Sequence, residues 1–217
     1  MDRINFEKFS SLAIFAIICL IAFALMELSN WILISDDLYY DTFGEQLSFE
    51  KIGELIDVSK KWGWLIYPIL PLIYLMKFFL VAGCLFVGVL LSRFTISFKT
   101  VFKIVMVAEF VFLVQPIAKI IWFSLVEINF TLNDLQYFFP LSALSLVEAS
   151  EIPFWLVYPL QTLSVFEVAY WFILAYGFHV IIKEKYTGMI GLVASSYGAG
   201  LLLWEVFIVF LSVSNTP

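Results

Sequence analysis

Six ionisable residues stand inside long apolar runs: Glu27, Lys77, Glu109, Lys119, Glu167 and Glu205. A charge in hydrocarbon is costly, so such residues turn toward protein or water and find partners. Three kinds of chemistry are open to them: a polar network that fixes helix register, a charge that faces a partner subunit, or a path for protons or ions. At ~1.5 Å of rise per residue, Glu27, Lys119 and Glu205 each lie roughly 26 Å from one end of their runs. Glu167 enters from the other side and reaches the same level, whereas Lys77 lies near mid-depth and Glu109 deeper still. Lys119 is therefore expected to be the hub of a network with Glu27, Glu167 and Glu205, and Lys77 to reach another acid with its stem. Four glutamates against two lysines leave an acidic surplus, met by protons or by cations from a partner or water.

Other chemistry is scarce. His179 is the one histidine, so neither a histidine metal cage nor a histidine pair can form. It lies close to Lys183 and reads as an interfacial residue. No serine-nucleophile elbow, zinc-protease motif or phosphate-cradling glycine loop occurs. Asp36, Asp37 and Asp41 faintly echo the acidic motifs that hold magnesium and diphosphate in membrane prenyltransferases. Those sites need a second acidic cluster and basic clamps, so a hydrated acidic loop is expected here. No catalytic residue, cofactor or metal site is expected.

The elements that position these charges follow from composition. Hydrophobic residues make up 63% of the 217 residues and charged residues 14%, with a mean hydropathy of +0.99. A soluble domain of this size could not cover so much apolar surface. The chain reads as an all-α polytopic membrane protein, a single membrane domain over 1–217. Cys19 and Cys84 both lie in apolar runs, which argues against a disulfide scaffold, and the net charge of −6 argues against nucleic acid.

Five transmembrane helices are expected, at about 10–34, 64–92, 101–126, 161–182 and 187–212, each near the 20 residues that a bilayer needs. The first is expected to be an uncleaved anchor, because it continues past the cleavage-like pair Ala22 and Ala24 to Ile34. With the N-terminus inside, Arg3, Lys8, Arg93, Lys99, Lys103, Lys183 and Lys185 face the cytoplasm. Only Lys51, Lys60 and Lys61 then lie outside, so the positive-inside rule places the N-terminus inside and the C-terminus outside. The outer connections carry Asp36, Asp37, Asp41, Glu45, Glu50, Glu54 and Asp57, then Glu127, Asp134, Glu148 and Glu151.

Two connections exceed a tight turn. Ser48 can cap a short amphipathic outer helix carrying Phe49, Ile52, Leu55, Ile56 and Val58, with Glu50 at its start and Lys60 and Lys61 at its end. The second, 129–160, holds Phe138, Phe139, Phe154, Trp155 and Tyr158 among Pro140, Pro153 and Pro159, and is expected to lie at the interface or present a groove to a partner. Pro68 and Pro71 fall in first turns, where a missing N–H costs little, but Pro116 should kink the third span. Gly83 and Gly88, and Gly191, Ala194, Ser195, Gly198 and Ala199, form small faces that allow close helix packing.

The stretch 95–212 resembles the membrane domain of the Yip family (Ypt/Rab-interacting proteins) in its short bacterial form. The resemblance rests on Ser97-Phe98-Lys99-Thr100-Val101-Phe102-Lys103, and on Leu163-Ser164-Val165-Phe166-Glu167-Val168-Ala169-Tyr170-Trp171 with Leu174 and Gly177. A basic turn, Lys183-Glu184-Lys185, and a last apolar span complete it. It implies five spans with the N-terminus inside, and scaffolding, trafficking or complex-assembly work without catalysis. The eukaryotic Asp-Leu-Tyr-Gly-Pro signature is absent, so GTPase binding is not implied.

Together these readings predict a non-enzymatic accessory or scaffold subunit of a membrane protein complex in a bacterial cytoplasmic membrane. Its partners would be lipid and other membrane subunits, in a homo- or hetero-oligomer. The competing reading is a small proton- or ion-coupled transporter component that uses the intramembrane Glu and Lys residues. Single-cysteine labelling in intact cells should place 36–63 and 129–160 on one face and 93–100 and 183–186 on the other. Labelling of both outer segments from opposite faces would overturn the topology.

Overall fold

The computed structural model describes residues 10–147 and 152–214. Arg3 and Lys8 of the orientation argument, and Glu148 and Glu151 of the acidic connections, lie outside the described residues. The fold is all-α, and five of its helical stretches are long and apolar enough to cross a membrane: Ser11–Leu33, Phe49–Leu91, Phe98–Leu125, Val165–Ile182 and Tyr186–Ser214.

Caps set where the helices begin. Helix α1 (Ser11–Leu33) starts at Ser10, whose hydroxyl accepts from Leu12 N, and it ends where Ile34 turns extended. Ser35 then caps the short α2 (Asp36–Phe43) by accepting from Leu38 N at 3.2 Å. Helix α3 (Phe49–Trp62) buries Ile52 and Ile56 and leaves Phe49 and Val58 exposed. It packs on α2 through stacking of Tyr40 on Phe49, with 4.5 Å between centroids, and through a 2.7 Å pair between Lys60 and Asp36. Asp36 holds the Lys60 ammonium above the ordinary lysine range.

No loop separates α3 from the second span. A 3₁₀ turn, Gly63–Leu65, leads directly into α4 (Ile66–Leu91), so helical backbone runs through 43 residues. That is ~65 Å of helix against a hydrocarbon layer of ~30 Å, and α3 is surplus to the crossing.

A tight turn, with Arg93 at φ 60°, returns the chain into α5 (Phe98–Ala108), which Ser97 caps through Thr100 N. The third span then changes character. Glu109–Leu113 is 3₁₀, and α6 (Val114–Leu125) restarts with Pro116 inside its first turn. Proline cannot bond to the carbonyl four residues before it, and the chain answers by tightening the preceding turn. The expected break at Pro116 therefore takes the form of a 3₁₀ segment.

The aromatic connection does not cross. It forms α7 (Leu132–Tyr137), started by a Thr131–Asp134 capping box, and α8 (Phe154–Thr162). The fourth span begins at Val165 rather than 161, because an antiparallel bridge between Ser142 and Ser164 separates α8 from α9 (Val165–Ile182). At the far end Lys183 closes α9 at φ 65°, and α10 (Tyr186–Val193) turns back. A π-helical stretch, Ala194–Gly198, joins α10 to α11 (Ala199–Ser214).

The main core gathers α1, α4, α5, α9 and α10 around Ile18, Phe78, Leu85, Ile104, Leu174 and Phe178. A second cluster, Leu33, Leu38, Ile120, Phe123 and Leu135, seals α1 and α6 under α2 and α7. No residue of helix α11 is fully buried. The small faces work unequally. A Cβ on Gly88 would lie 2.6 Å from Ser196 Cβ, whereas one on Gly83 meets nothing within 4 Å. Gly88→Ala should therefore lower the thermal midpoint in detergent, on the scale of overpacking, about 1–3 kcal/mol. Gly83→Ala, one and a half turns away, should be neutral or stabilising. Equal midpoints for the two variants would refute this contact.

Candidate functional site

The fold gathers two buried glutamates of the spans, Glu109 and Glu167, with one partly exposed lysine, Lys77, into a single centre. Lys77 projects from the middle of α4, and Glu109 is the first residue of the 3₁₀ stretch that follows α5. The tight turn between α4 and α5 makes the two helices antiparallel neighbours. Lys77 Nζ donates to Glu109 Oε1 at 2.6 Å, with the Glu109 side chain only 2% exposed. The ammonium also lies 4.1 Å from the Phe112 ring centroid and 5.9 Å from that of Tyr170. Aromatic faces carry negative potential, so both rings favour the cation where water is excluded.

Glu167 forms the other half. Ser164 caps α9 by accepting from Glu167 N at 3.1 Å, and Ser-x-x-Glu is capping-box spacing. The carboxylate nevertheless turns inward. Its Oε1 accepts from Trp171 Nε1 at 2.8 Å and from Tyr197 Oη at 2.7 Å. Tyr197 belongs to the π stretch, whose extra residue per turn re-aims side chains and recurs at functional sites. Gly198 lets this stretch approach closely, since a Cβ there would be 2.7 Å from Trp171 Cη2. Glu109 and Glu167 are near enough for each charge to bear on the other, and Lys77 bears on both. With all three ionised the centre carries one net negative charge in an apolar core, and one proton or monovalent cation makes it neutral.

The remaining sequence candidates lie elsewhere. Lys119 is not the hub of a network with Glu27, Glu167 and Glu205: its ammonium donates to the backbone carbonyl of Leu135 on α7. Among the described residues the ion pairs are Lys60–Asp36 and Lys77–Glu109. A shared depth does not make a contact, because residues at one level can point around their helices toward different neighbours. Glu27 accepts from Tyr67 Oη at 2.6 Å. Both Glu205 oxygens are buried without a hydrogen-bond partner among the described residues. Thr162, which faces Glu205 from α8, donates its hydroxyl to Tyr158 O at 3.0 Å.

Several aromatics of the 129–160 connection pack on the protein's own helices. Phe138 packs on Trp122 and Phe123, with centroids 5.5 and 4.9 Å away. Tyr158 Oη accepts from Trp204 Nε1 at 2.9 Å. Phe139 and Trp155 are half-buried, and Phe154 remains exposed. His179 Nδ1 donates to Glu184 O at 2.6 Å and closes the turn between α9 and α10. Asp36, Asp37 and Asp41 are not part of any group of three or more acids, histidines or cysteines placed to hold a metal among the described residues.

Among the cavities on the described residues, two bear on these sites. The larger, about 680 Å³, lies beside Ser35, Asp41, Phe123 and Asn129, and no residue of the charged centre lines it. The smaller, about 510 Å³, opens between the α4–α5 and α9–α10 turns and runs from Ser92 and Lys185 past Gly188 and Gly191 to Ser195. Its inner end thus touches the π stretch that also holds Tyr197.

Tyr170, Trp171 and Tyr197 were not among the residues singled out for chemistry from the sequence. Their signal was a phenol or indole on the same helical face as an intramembrane acid, as with Glu167, Tyr170 and Trp171 at spacings of three and four.

Lys77→Met alone should lower stability, because a buried carboxylate loses its counter-charge. In soluble interiors this costs about 3–5 kcal/mol, and a bilayer relieves part of it. Lys77→Met combined with Glu109→Gln should recover much of the loss. Lys119→Met strands only a carbonyl, about 1–3 kcal/mol. Thermal unfolding of the three purified variants measures the order, and a double variant no better than Lys77→Met would refute the pairing.

Compared with known proteins, the chain matches no family model, no curated protein and no solved structure.

Proposed function

We propose that this chain is a small proton- or ion-coupled component of a multi-pass membrane carrier, with Lys77, Glu109 and Glu167 as its coupling centre. The observation that carries the reading is the 2.6 Å pair between a partly exposed Lys77 and a buried Glu109, with a second buried carboxylate, Glu167, close by. A purely structural network has no need of a surplus acid. A centre with two carboxylates and one ammonium has two states one elementary charge apart, and taking up one cation toggles between them. Ionisable residues facing a bundle interior are the usual carriers of such transfer.

Two further features support it. The spans bearing Glu109 and Tyr197 both depart from α-geometry at those residues, as 3₁₀ and π stretches, and such breaks can rearrange at little cost. An open cavity at one end of the bundle is lined in part by Ser195, a member of the same π stretch as Tyr197. We place the protein, on its basic-residue distribution, in a bacterial cytoplasmic membrane with the N-terminus inside. No reaction on a substrate is assigned to it.

A second reading, an accessory subunit of a membrane complex, is favoured by α11. No residue of that helix is fully buried, and its faces away from α8 are open to pack on another subunit. The Yip resemblance agrees with this role and rests on the sequence motifs alone. The two readings are compatible if the coupling centre acts inside a larger assembly.

Reconstitution tests the proposal. Proteoliposomes enclosing a pH-sensitive dye should acidify or alkalinise faster than empty vesicles when a potential or cation gradient is imposed. Glu109→Gln and Glu167→Gln should each abolish the excess flux while Glu27→Gln retains it. Folded wild-type protein that matches empty vesicles under every gradient would refute an autonomous ion path.

A further inference from the structure

Two polar atoms of the centre have no hydrogen-bond partner among the described residues: Glu109 Oε2 and Tyr170 Oη. Both side chains are buried, at 1% and 0% exposure. A buried phenol almost always finds an acceptor, so a bare one beside a bare carboxylate oxygen marks a place built for something exchangeable. Tyr170 lies between the halves of the centre. It is one turn beyond Glu167 on α9, and its ring packs at 5.0 Å on Phe112, three residues after Glu109. Its other neighbour is Tyr197, the donor to Glu167, at 5.5 Å. The charges of both carboxylates bear on its hydroxyl, Glu109 more strongly.

The geometry points to Tyr170 as the proton relay between Glu167 and Glu109, a reading that rests on the ion-coupled function proposed above and makes the coupled ion a proton. A metal ion fits poorly, because the Lys77 ammonium already holds Glu109 Oε1 and repels a second cation. In the state with the Lys77–Glu109 pair closed, the proton resides on Glu167 Oε2. Transfer breaks that O–H bond as the proton passes to Tyr170 Oη. The phenol's own O–H bond breaks in the same step, and its proton forms an O–H bond at Glu109 Oε2. Because Tyr170 Oη bonds to neither carboxylate at rest, the relay requires rotation of the phenol or entry of a bridging water to bring each transfer within hydrogen-bond distance. One proton has moved, Tyr170 is regenerated, and the negative charge has passed from Glu109 to Glu167. Lys77 then loses its charged partner, which couples the transfer to the α4–α5 contact.

Tyr170→Phe removes the hydroxyl and keeps the ring packed on Phe112 and Tyr197. Two readouts on this full-length variant in liposomes test the relay. The proton flux should fall on the order of a hundredfold, the scale of a positioned proton-transfer group, with an unchanged thermal midpoint. In infrared spectra the carboxylic-acid carbonyl band of the wild type, identified by its loss in Glu167→Gln, should exchange with deuterium far more slowly in Tyr170→Phe. Wild-type flux and exchange in Tyr170→Phe, or no carboxylic-acid band in the wild type, would overturn the relay. Slowed exchange in a protein without measurable flux would sustain the relay and sink the transport reading instead.

Discussion

An ammonium and a carboxylate inside an apolar core must touch, and most of the arrangement around Lys77 and Glu109 follows from that requirement. Lys77 is partly exposed on α4, with 36% of its side chain accessible, whereas Glu109 is buried, so the lysine reaches inward to the acid on the adjoining helix. The short turn at 92–97 supplies that helix by folding α5 back along α4. The lysine stem makes up the difference in level between the two residues, which is why Lys77, near mid-depth, can meet Glu109 nearer the turn. Phe112 then covers the ammonium from the 3₁₀ stretch, 4.1 Å from ring centroid to Nζ. A regular helix through Glu109–Leu113 would rotate these side chains away from their present directions.

The same logic explains the irregular fifth span. Glu167 near the start of α9 needs donors, and the π stretch turns Tyr197 toward it. Close packing at Gly88, Gly198 and Gly200 lets that stretch lie against α4 and Trp171 without a gap. Two breaks in helical geometry therefore bracket one polar centre, each held by aromatic rings on the apolar side. Interiors of this kind are bistable rather than soft, since side chains pack in discrete arrangements. Loss or gain of one charge at the centre is the sort of local event that can choose between two such arrangements.

The sequence was informative where the physics is one-dimensional. Apolar run length reports spans directly, and all five were legible, with ends off by a few residues where caps such as Ser97 and Ser164 decide. A helix at α3 was legible from its spacing, but its fusion to α4 through the 3₁₀ turn at Gly63–Leu65 was not. The six intramembrane charges were visible as residue types. Their pairing was not, because depth along a helix can be counted whereas the direction around it depends on which helix packs alongside. Lys119 shares a level with Glu27 and Glu205 yet points at α7, an element no depth count includes. Tyr170 and Tyr197 were hidden for a different reason: in a chain with 10 Tyr, a phenol in an apolar run looks like packing until a carboxylate is found beside it.

The ion pair itself can be measured in lipid. Solid-state NMR on liposome-embedded protein, with ¹⁵N at lysine Nζ and ¹³C at glutamate Cδ, reads the dipolar coupling between the two groups. The peak assigned to Lys77 by its loss in Lys77→Met should show strong dephasing from one carboxyl carbon, and that dephasing should vanish in Glu109→Gln, whose carboxylate is gone. A Lys77 signal with no carboxyl carbon at contact distance, or one coupled equally in Glu109→Gln, would contradict the buried pair on which the centre depends.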